Sequence, residues 1–298
     1  MNIKQLKYFY EIAKEGQITR AAKKLHIAQP PLSQSLKALE TRLGVILFER
    51  NGREMVLTDA GEVLYRRVEI IFNNLDETYK EVQETGQGIR GTLSIGCNKS
   101  CFSHIPNKIN IYQEMYPDVN FKLIEGDSYF LTKQLKEREL EIAIIRLPID
   151  MSDLEYYELP KEEYVAVVPN NLITVKRESI SLQELADIPL FLLHRMKGRG
   201  QFEIIMERFE QEGLNVQVKC ESPNVDMLLG LVNEGLGATI VPQSTLLKYN
   251  TNHVSILKLS NQKIISESAI VWAKDRYLSK SAKRFIELFT NKPVATIK

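Results

Sequence analysis

The apolar residues in the first fifty positions recur at intervals of three and four, which is the spacing of amphipathic helices. They predict three helices in succession, and the second and third are separated only by the tight turn His26-Ile27-Ala28. Pro30 and Pro31 fall in the first turn of the third helix, where a backbone N–H has no helical partner. Two helices joined so closely predict a helix-turn-helix. The apolar positions are Ile3, Leu6, Phe9, Tyr10 and Ala13, then Ile18, Ala21, Ala22 and Leu25, then Leu32, Leu36, Leu39 and Leu43.

The third predicted helix carries polar residues on the side away from its leucines. In a helix-turn-helix the second helix of the motif enters the DNA major groove with its N-terminal residues facing the bases. Gln29, Ser33 and Gln34 can bond base edges, and Lys37 suits a phosphate or a guanine. On this pattern alone, a solvated face of an ordinary helical hairpin is the alternative interpretation.

A short hairpin is predicted directly after the three helices. An apolar run over residues 45–48 and a second at Val56-Leu57 flank the turn sequence Arg50-Asn51-Gly52-Arg53. Beside a helix-turn-helix such a hairpin is a wing. Arg53 at its tip is expected to contact a phosphate or the minor groove, and a free surface turn is the alternative.

A long helix is predicted from Asp59 to about Glu84, with Thr58 as its cap. Its narrow apolar stripe is typical of a coiled-coil seam rather than of a core helix, and the simplest partner is the same helix of a second subunit. A dimer of this kind implies a DNA site with two-fold symmetry. Gly86, Gly88 and Gly91 mark a hinge to the rest of the chain. The expected dimerisation residues are Leu64, Val68, Ile71, Leu75, Tyr79 and Val82.

From Thr92 onward the pattern alternates between strands and helices, which predicts an α/β fold with parallel sheets and helices on both faces. Eight strands suit two lobes, and small ligands usually bind in a cleft at the carboxyl ends of such strands. The predicted strands are Leu93–Cys97, Val119–Ile124, Ile142–Ile145, Tyr164–Val168, Leu190–Leu193, Val216–Cys220, Ala238–Val241 and Ala269–Trp272. The predicted domains are a winged helix-turn-helix over 1–58, a linker helix over 59–89, lobe 1 over 90–162 and 266–298, and lobe 2 over 163–265.

Charge is distributed unevenly along the 298 residues. Ten Lys and Arg against five acidic residues give residues 1–58 a net charge of +5, so that with +1 overall the remainder carries −4. A basic N-terminal segment on a mildly acidic body fits nucleic-acid binding confined to one end.

Other classes of protein lack support in the sequence. Lys4, Lys7, Glu11 and Lys14 interrupt any signal core, and no run of about 18 apolar residues occurs, so a cytoplasmic protein without membrane contact is expected. Three cysteines argue against a disulfide framework. We find no nucleophile elbow, phosphate loop or metal-ligand spacing. The chain is therefore expected to be no enzyme and to need no cofactor.

The sequence resembles the LysR-type transcriptional regulators along essentially its whole length. The N-terminal motifs are Ala21-Ala22-x-x-Leu25, Gln29-Pro30-x-Leu32-Ser33, Leu43-Gly44-x-x-Leu47-Phe48-Glu49-Arg50 and Leu57-Thr58-x-Ala60-Gly61; later ones are Tyr116-Pro117, Glu125-Gly126 and Gly235-Leu236-Gly237. The resemblance implies a winged helix, a dimerising linker helix and a two-lobed effector domain similar to type II periplasmic binding proteins. It also implies homodimers that form homotetramers, and a small effector in the interlobe cleft that controls DNA binding.

The resemblance completes the expected DNA-binding set as Gln29, Pro30, Ser33, Gln34, Lys37, Arg50 and Arg53. Two positions depart from the family's usual pattern. Ala28 stands where Ser or Thr often caps the recognition helix, and Gln34 stands where Arg is frequent. A glutamine at this position favours adenine over guanine.

The resemblance also implies which residues line the effector cleft. They are Asn98, Lys99, Ser100, Cys101, Asp127, Ser128, Arg146, His194, Lys197, Asn224 and Val225. Ser100 and Ser128 precede helical runs, whose free N–H groups favour an anion. Lys99, Arg146, Arg195, Lys197 and Arg199 add positive charge, which predicts a small anionic effector, a carboxylate.

Two alternatives stay open at this point. Cys97 and Cys101 could act as a thiol sensor in a redox-responsive regulator, although buried bystander cysteines fit the same pattern. The two-lobed body would also suit a cytoplasmic small-molecule-binding protein, which the basic N-terminal segment disfavours. His104 lies next to these cysteines without a zinc-site spacing, and His194 is expected to hydrogen-bond a ligand or the backbone.

Overall fold

The computed structural model describes residues 1–52, 54–87, 89–173, 175, 177–195, 197–249, 252–260 and 263–290. The chain divides into two compact units, residues 1–83 and 84–298, and each unit is described by itself. Of the helices in the described ranges, none is long and apolar enough to cross a membrane.

The N-terminal unit is built from four helices and one hairpin. These elements are α1 (Ile3–Glu15), α2 (Ile18–Lys24), α3 (Gln29–Leu43), β1 (Phe48–Asn51), β2 (Glu54–Leu57) and α4 (Asp59–Gln87). Asn2 and Gln5 form a capping box at the start of α1, which ends at Gly16 in the left-handed conformation. Phe9, Leu32 and Leu39 are fully buried between the helices. The apolar positions that the sequence periodicity identifies thus lie on the core-facing side of each helix.

The hairpin beside α3 is an antiparallel pair in which Arg50 faces Met55 and Asn51 faces Glu54. Gly52 occupies its tip with a φ of 62°, a left-handed conformation that favours glycine. This arrangement confirms the predicted winged helix-turn-helix. Arg53, expected at the same tip, lies outside the described residues.

Helix α4 begins as predicted at Asp59, and Thr58 caps it, since its hydroxyl oxygen accepts a hydrogen bond from the Gly61 N–H at 3.0 Å. The expectation that its apolar stripe is a seam rather than a core face is wrong for the first half of the helix. Val68 is fully buried against the helix-turn-helix, and Leu64 and Ile71 pack beside it. The prediction failed because the apolar residues continue without a break along the helix, so the sequence does not show where packing against the same chain ends. Exposure rises toward its end, with Leu75, Tyr79 and Val82 at 41%, 65% and 67%.

The described residues of the C-terminal unit form two sheets, which define lobe 1 and lobe 2. The strands of lobe 1 are β3 (Gly91–Cys97), β4 (Val119–Glu125), β5 (Ile142–Arg146), β6 (Leu154–Glu158) and β14 (Ser268–Ala273). Those of lobe 2 are β7 (Glu162–Pro169), β8 (Ser179–Ile180), β9 (Leu190–Leu193), β10 (Val218–Ser222), β11 (Ala238–Pro242), β12 (Val254–Leu259) and β13 (Ile265–Ser266). Lobe 1 has the strand order β4-β3-β5-β14-β6, and lobe 2 has the order β10-β9-β11-β7-β12-β8, with β13 also paired to β7.

Helices cover both faces of each sheet, as the alternating pattern predicts. They are α5 (Pro106–Met115), α6 (Ser128–Lys136) and α10 (Lys280–Thr290) in lobe 1, and α7 (Leu182–Ala186), α8 (Gln201–Gln211) and α9 (Val225–Asn233) in lobe 2. Tyr112 of α5 and Phe285 of α10 are buried on one face of the lobe 1 sheet, while Leu131 of α6 is buried on the other. The α/β fold predicted for this part of the chain is therefore confirmed.

The prediction of purely parallel sheets is wrong, because both sheets are mixed. Strands β3, β4 and β5 follow one another through helical crossovers and are parallel. Strand β14 enters lobe 1 on return from lobe 2 and runs antiparallel to β5 and β6. In lobe 2, β7 is antiparallel to β11 and β12. Strands β6, β8, β12 and β13 were not predicted. Exposed residues interrupt the apolar positions of β6 and β12, and β8 and β13 have only two residues each.

Two glycines of lobe 2 test this packing in opposite directions. Gly230, within α9, has open space where a Cβ would be, so Gly230→Ala should raise the free energy of unfolding by about 0.4–1 kcal/mol. A Cβ on Gly237 would lie 2.3 Å from the Pro189 carbonyl oxygen, so Gly237→Ala should lower it by at least about 1–3 kcal/mol. Chemical denaturation of the full chain measures both. Equal stability of the two variants would contradict the described packing.

Candidate functional site

A pocket of about 460 Å³ lies between the two lobes of the C-terminal unit. Its walls are the carboxyl ends of the central strands and the first residues of the helices that follow them. The lining residues are Asn98, Lys99, Ser100, Glu125, Gly126, Asp127, Ser128, Phe130, Arg146, Leu147, Tyr164, Leu193, His194, Arg195, Gln201, Pro223, Asn224 and Val225.

Three helices begin at this pocket, and two of them have a side-chain cap. Asp127 accepts a hydrogen bond from the Phe130 N–H at 2.7 Å at the start of α6, and Asn224 accepts one from the Asp226 N–H at 2.8 Å at the start of α9. Helix α8 begins after Gly200 with Gln201 at the pocket. The first N–H groups of a helix have no intrahelical partner and carry the positive end of its dipole. The pocket therefore has a positive electrostatic contribution from three directions.

Asn98 joins three segments of the lobe 1 wall. Its amide donates to the Gly126 carbonyl oxygen at 2.8 Å, and its Oδ1 accepts from the Arg146 N–H at 2.6 Å. The Ser128 hydroxyl lies within hydrogen-bond distance of both Asn98 Oδ1 and the Arg146 carbonyl oxygen. Because Asn98 and Ser128 are buried and satisfied in this way, they fix the wall of the pocket rather than offer free groups to it.

Arg146 is buried at the junction of the lobes and forms an ion pair with Glu162, with an N–O distance of 2.7 Å. Its guanidinium also donates to the Ser100 carbonyl oxygen at 2.7 Å and to the Ser266 hydroxyl at 2.9 Å. Burial raises the pKa of Glu162, but the Arg146 charge and hydrogen bonds from Ser244 outweigh it and hold that pKa below its ordinary value. Burial lowers the pKa of Arg146, and the neighbouring Cys101 and Glu162 raise it more.

Two other basic side chains at the pocket also have acidic partners. Lys99 Nζ lies 3.0 Å from Asp226 and 3.8 Å from Glu125, and the hydrogen bond to Asp226 raises its pKa. His194 Nδ1 lies 3.1 Å from Glu221. Positive charge at the pocket is thus less available than the number of basic residues suggests.

The structure brings nine of the eleven sequence-predicted cleft residues to the pocket. They are Asn98, Lys99, Ser100, Asp127, Ser128, Arg146, His194, Asn224 and Val225. Two do not line it. Cys101 is fully buried in the core of lobe 1, because the 3-10 helix Lys99–His104 turns it inward. Lys197 lies outside, with its ammonium group 4.8 Å from the centre of the Tyr129 ring.

Several pocket residues were missed in the sequence. Tyr164 starts an apolar run that predicts a strand and gives no signal for a ligand site, whereas Gln201 could have been found as the first residue before a predicted helix. Arg195 was expected near the cleft only as one of five basic residues. The structure places it on the lining, while Arg199 of the same loop pairs with Glu207 at 2.5 Å.

The thiol alternative has no support from the geometry. Burial raises the pKa of the Cys97 thiol well above its ordinary value, and burial also raises the pKa of Cys101. Both therefore stay protonated, which is the unreactive form. No group of three His, Cys, Asp or Glu side chains suited to hold a metal ion occurs among the residues that the structure describes.

In the N-terminal unit, those of the residues expected to contact DNA that the structure describes lie on the surface around α3 and the hairpin. Gln34 and Lys37 are exposed on one side of α3, opposite the buried leucines, and Ser33 is half-buried beside them. Ala28 precedes α3 without a side-chain cap, as its methyl group requires. The remaining exposed members are Gln29, Pro30 and Arg50.

A winged helix-turn-helix followed by a two-lobed α/β unit with an interlobe pocket defines the class of DNA-binding transcriptional regulators that carry a ligand-binding domain. Residues 3–62 match the family described as bacterial regulatory helix-turn-helix protein, lysR family, and residues 86–293 match the LysR substrate binding domain. The chain therefore belongs to the LysR family of transcriptional regulators, which confirms the resemblance found in its sequence.

Relatives and solved structures agree with this assignment. The HTH-type transcriptional regulator BsdA of Bacillus subtilis is 34% identical over 290 residues, which cover 97% of this chain and 100% of BsdA. Full-length CbnR complexed with its target DNA has a TM-score of 0.71 at 20% identity, over 98% of this chain and 99% of that chain, and shows the fold alone. A full-length variant of OxyR from Pseudomonas aeruginosa has a TM-score of 0.65 at 25% identity, over 98% of this chain and 94% of that chain.

The buried pair at the lobe junction should dominate the acid stability of this unit. Replacing Glu162 by Gln leaves the Arg146 charge buried without a counter-ion and should lower the free energy of unfolding by about 3–5 kcal/mol. Because the folded pKa of Glu162 lies below its ordinary 4.5, the pair stabilises fully above that value. Its contribution is lost as the pH falls below 4.5 through the folded pKa.

Thermal unfolding of the wild type and of Glu162→Gln between neutral pH and the acid limit measures this effect. The control is Glu207→Gln, which removes an exposed pair and should change stability by about 0–1 kcal/mol. A Glu162→Gln variant as stable as the control, with the same acid dependence as the wild type, would disprove the role of the pair.

Proposed function

We propose that this regulator acts in the cytoplasm, without catalysing a reaction, by binding a two-fold DNA site as a homodimer or homotetramer under the control of a small anionic effector. In this proposal residues 1–58 bind DNA, residues 59–89 dimerise, and the lobes formed by 90–162 with 266–298 and by 163–265 bind the effector. The single observation that supports a negative charge on the effector is that three helices begin at one pocket.

The size and lining of the pocket support a small ligand with an apolar body. Its volume of about 460 Å³ lies within the range of small-molecule sites. Phe130, Leu147 and Leu193 contribute apolar surface, while the starts of α6, α8 and α9 contribute N–H groups. A ligand that contacts both lobes favours the interlobe arrangement that it fits best, which couples binding to the state of the regulator.

The exposed face of α3 supports the DNA half of the proposal. CbnR, which has the same fold, is known in complex with its target DNA. In the present chain Gln34 and Lys37 lie exposed near the N-terminal half of α3, which is the part of a recognition helix that faces the bases. Gln34 suits the N6 and N7 atoms of adenine, and Lys37 suits a phosphate.

Substitution of these two residues should separate base recognition from general affinity. Gln34→Ala should reduce discrimination at one base position of each half-site by about 1–3 kcal/mol. Lys37→Ala should weaken binding to every sequence and lower the slope of log affinity against log salt by about 0.9 for each phosphate that the protein no longer neutralises. Selection from random duplexes followed by fluorescence anisotropy at several salt concentrations measures both effects.

The control for the removed charge is Lys122→Ala, an exposed lysine of β4 in the C-terminal unit, which should leave DNA binding unchanged. Reduced discrimination at all base positions with Gln34→Ala would contradict its role in base recognition. Wild-type protein that selects no two-fold sequence would overturn the DNA half of the proposal.

The exposed end of the α4 stripe is the part proposed to dimerise. Because Val68 is already buried in its own chain, the contact with a partner falls to Leu75, Tyr79 and Val82. Replacing Leu75 and Val82 together by Glu places charges in this seam and should shift the protein toward monomers, with weaker affinity for two-fold sites. Sedimentation velocity measures the mass.

Ile70→Glu is the matched control, because Ile70 is 46% exposed and lies on another side of α4. It should leave the mass unchanged. Dissociation caused by Ile70→Glu, with intact dimers of the Leu75 and Val82 variant, would move the interface to the opposite face of the helix.

A further inference from the structure

The basic residues at the pocket differ in whether a carboxylate lies beside them. Lys99, Arg146 and His194 lie 3.0, 2.7 and 3.1 Å from Asp226, Glu162 and Glu221. The fourth is Arg195, which also lines the pocket. Within the described ranges of the chain, Arg195 has no carboxylate oxygen within 4.0 Å of its guanidinium nitrogens.

Neutral acceptors hold Arg195 in place. Its Nη1 donates to the carbonyl oxygens of Pro148 at 2.7 Å and Arg199 at 2.9 Å, and its Nη2 donates to that of Arg146 at 3.2 Å. These bonds use three of the five N–H donors of the guanidinium. Because Pro148 and Arg146 belong to lobe 1 and Arg195 follows β9 of lobe 2, this cation bridges the lobes at the pocket wall.

A buried glycine provides the space for this side chain. A Cβ on Gly200 would lie 3.1 Å from Arg195 Nε and 3.2 Å from Arg195 Cβ. The φ of Gly200 is −136°, which any residue adopts, so the backbone conformation does not require glycine here. Glycine is required here because the Arg195 side chain approaches this position closely.

The electrostatic surroundings of Arg195 favour an incoming anion. Burial lowers the pKa of the guanidinium, and the nearby Asp127, Tyr164 and Glu203 offset this only in part. A partly desolvated cation whose hydrogen bonds go to neutral carbonyls gains more from a bound carboxylate than a cation that is already paired. An anion at Lys99 or Arg146 would have to compete with Asp226 or Glu162.

We propose that Arg195 is the charge partner of the effector, and that the effector is a carboxylate with an apolar body. This inference rests on the proposed function of the pocket, and it assigns the charge contact to Arg195 rather than to Lys99 or Arg146. Arg195 selects the ligand's charge, the apolar lining holds its body, and the contact between lobes is made at the same guanidinium.

The test compares carboxylates with uncharged amides of the same shape. Full-length protein is titrated by calorimetry with hexanoate and phenylacetate, and in parallel with hexanamide and phenylacetamide. The wild type should prefer each carboxylate over its amide. Arg195→Gln should weaken carboxylate binding about ten- to hundred-fold and remove the preference, while amide binding stays the same. A merely structural role would weaken acid and amide alike.

Three further variants make the result independent of folding defects. Arg195→Lys keeps the charge without the planar fork and should retain part of the preference. Gly200→Ala keeps every charge but crowds Arg195, and should reduce the preference several-fold. Arg199→Gln removes a charge from the same loop at an exposed pair with Glu207 and should leave the preference intact.

The outcomes separate this inference from the function on which it rests. If Arg195→Gln keeps the wild-type preference while Lys99→Gln loses it, Arg195 is the wrong cation and the anionic effector stands. If the wild type binds amides as well as acids, or binds neither, the anionic effector and the role of Arg195 both fail. The DNA-binding experiments are unaffected by either result.

Discussion

A buried guanidinium at the junction of two lobes sets the conditions for the rest of the C-terminal unit. Arg146 is 8% exposed and takes its partners from several segments of the chain: Glu162, Ser100, Ser244 and Ser266. A charge in that position is tolerated only if each donor finds an acceptor. The end of β5, the start of β7 and the 3-10 helices Lys99–His104 and Gln243–Lys248 are therefore fixed relative to one another. Ser100 and Arg146 of this network also line the pocket.

The same network explains why Arg146, the most buried basic residue of the pocket, is not the residue that binds an anion. Arg146 is occupied by Glu162, which itself accepts hydrogen bonds from the Ser244 N–H at 2.7 Å and hydroxyl at 2.8 Å. A ligand anion that paired with Arg146 would leave the Glu162 carboxylate buried without its counter-ion. The free-energy cost of this unpaired charge exceeds the gain from the new ion pair. The ligand is directed instead to groups whose partners are neutral, namely the first N–H groups of the helices and Arg195.

How much of this could be predicted from sequence depends on the range of the interactions involved. The three N-terminal helices, the wing and the Thr58 cap follow from periodicity and from residues close together in the chain, and they were predictable. The division of the α4 stripe was not, because Val68 and Val82 are both apolar and only the tertiary contacts of Val68 separate them. Likewise, the direction of β14 depends on where the chain re-enters lobe 1, which its own residues do not encode.

The pocket shows the same limit of prediction from sequence more clearly. The loops that border it could be located, since they follow strands and precede helices, but the role of each side chain depends on partners distant in sequence. Lys99 meets Asp226 and Arg146 meets Glu162, whereas Arg195 meets carbonyl oxygens. A count of basic residues treats all three alike. Their difference lies in which acids the fold brings to them, and this difference is the reason why we assign the charge contact with the effector to Arg195.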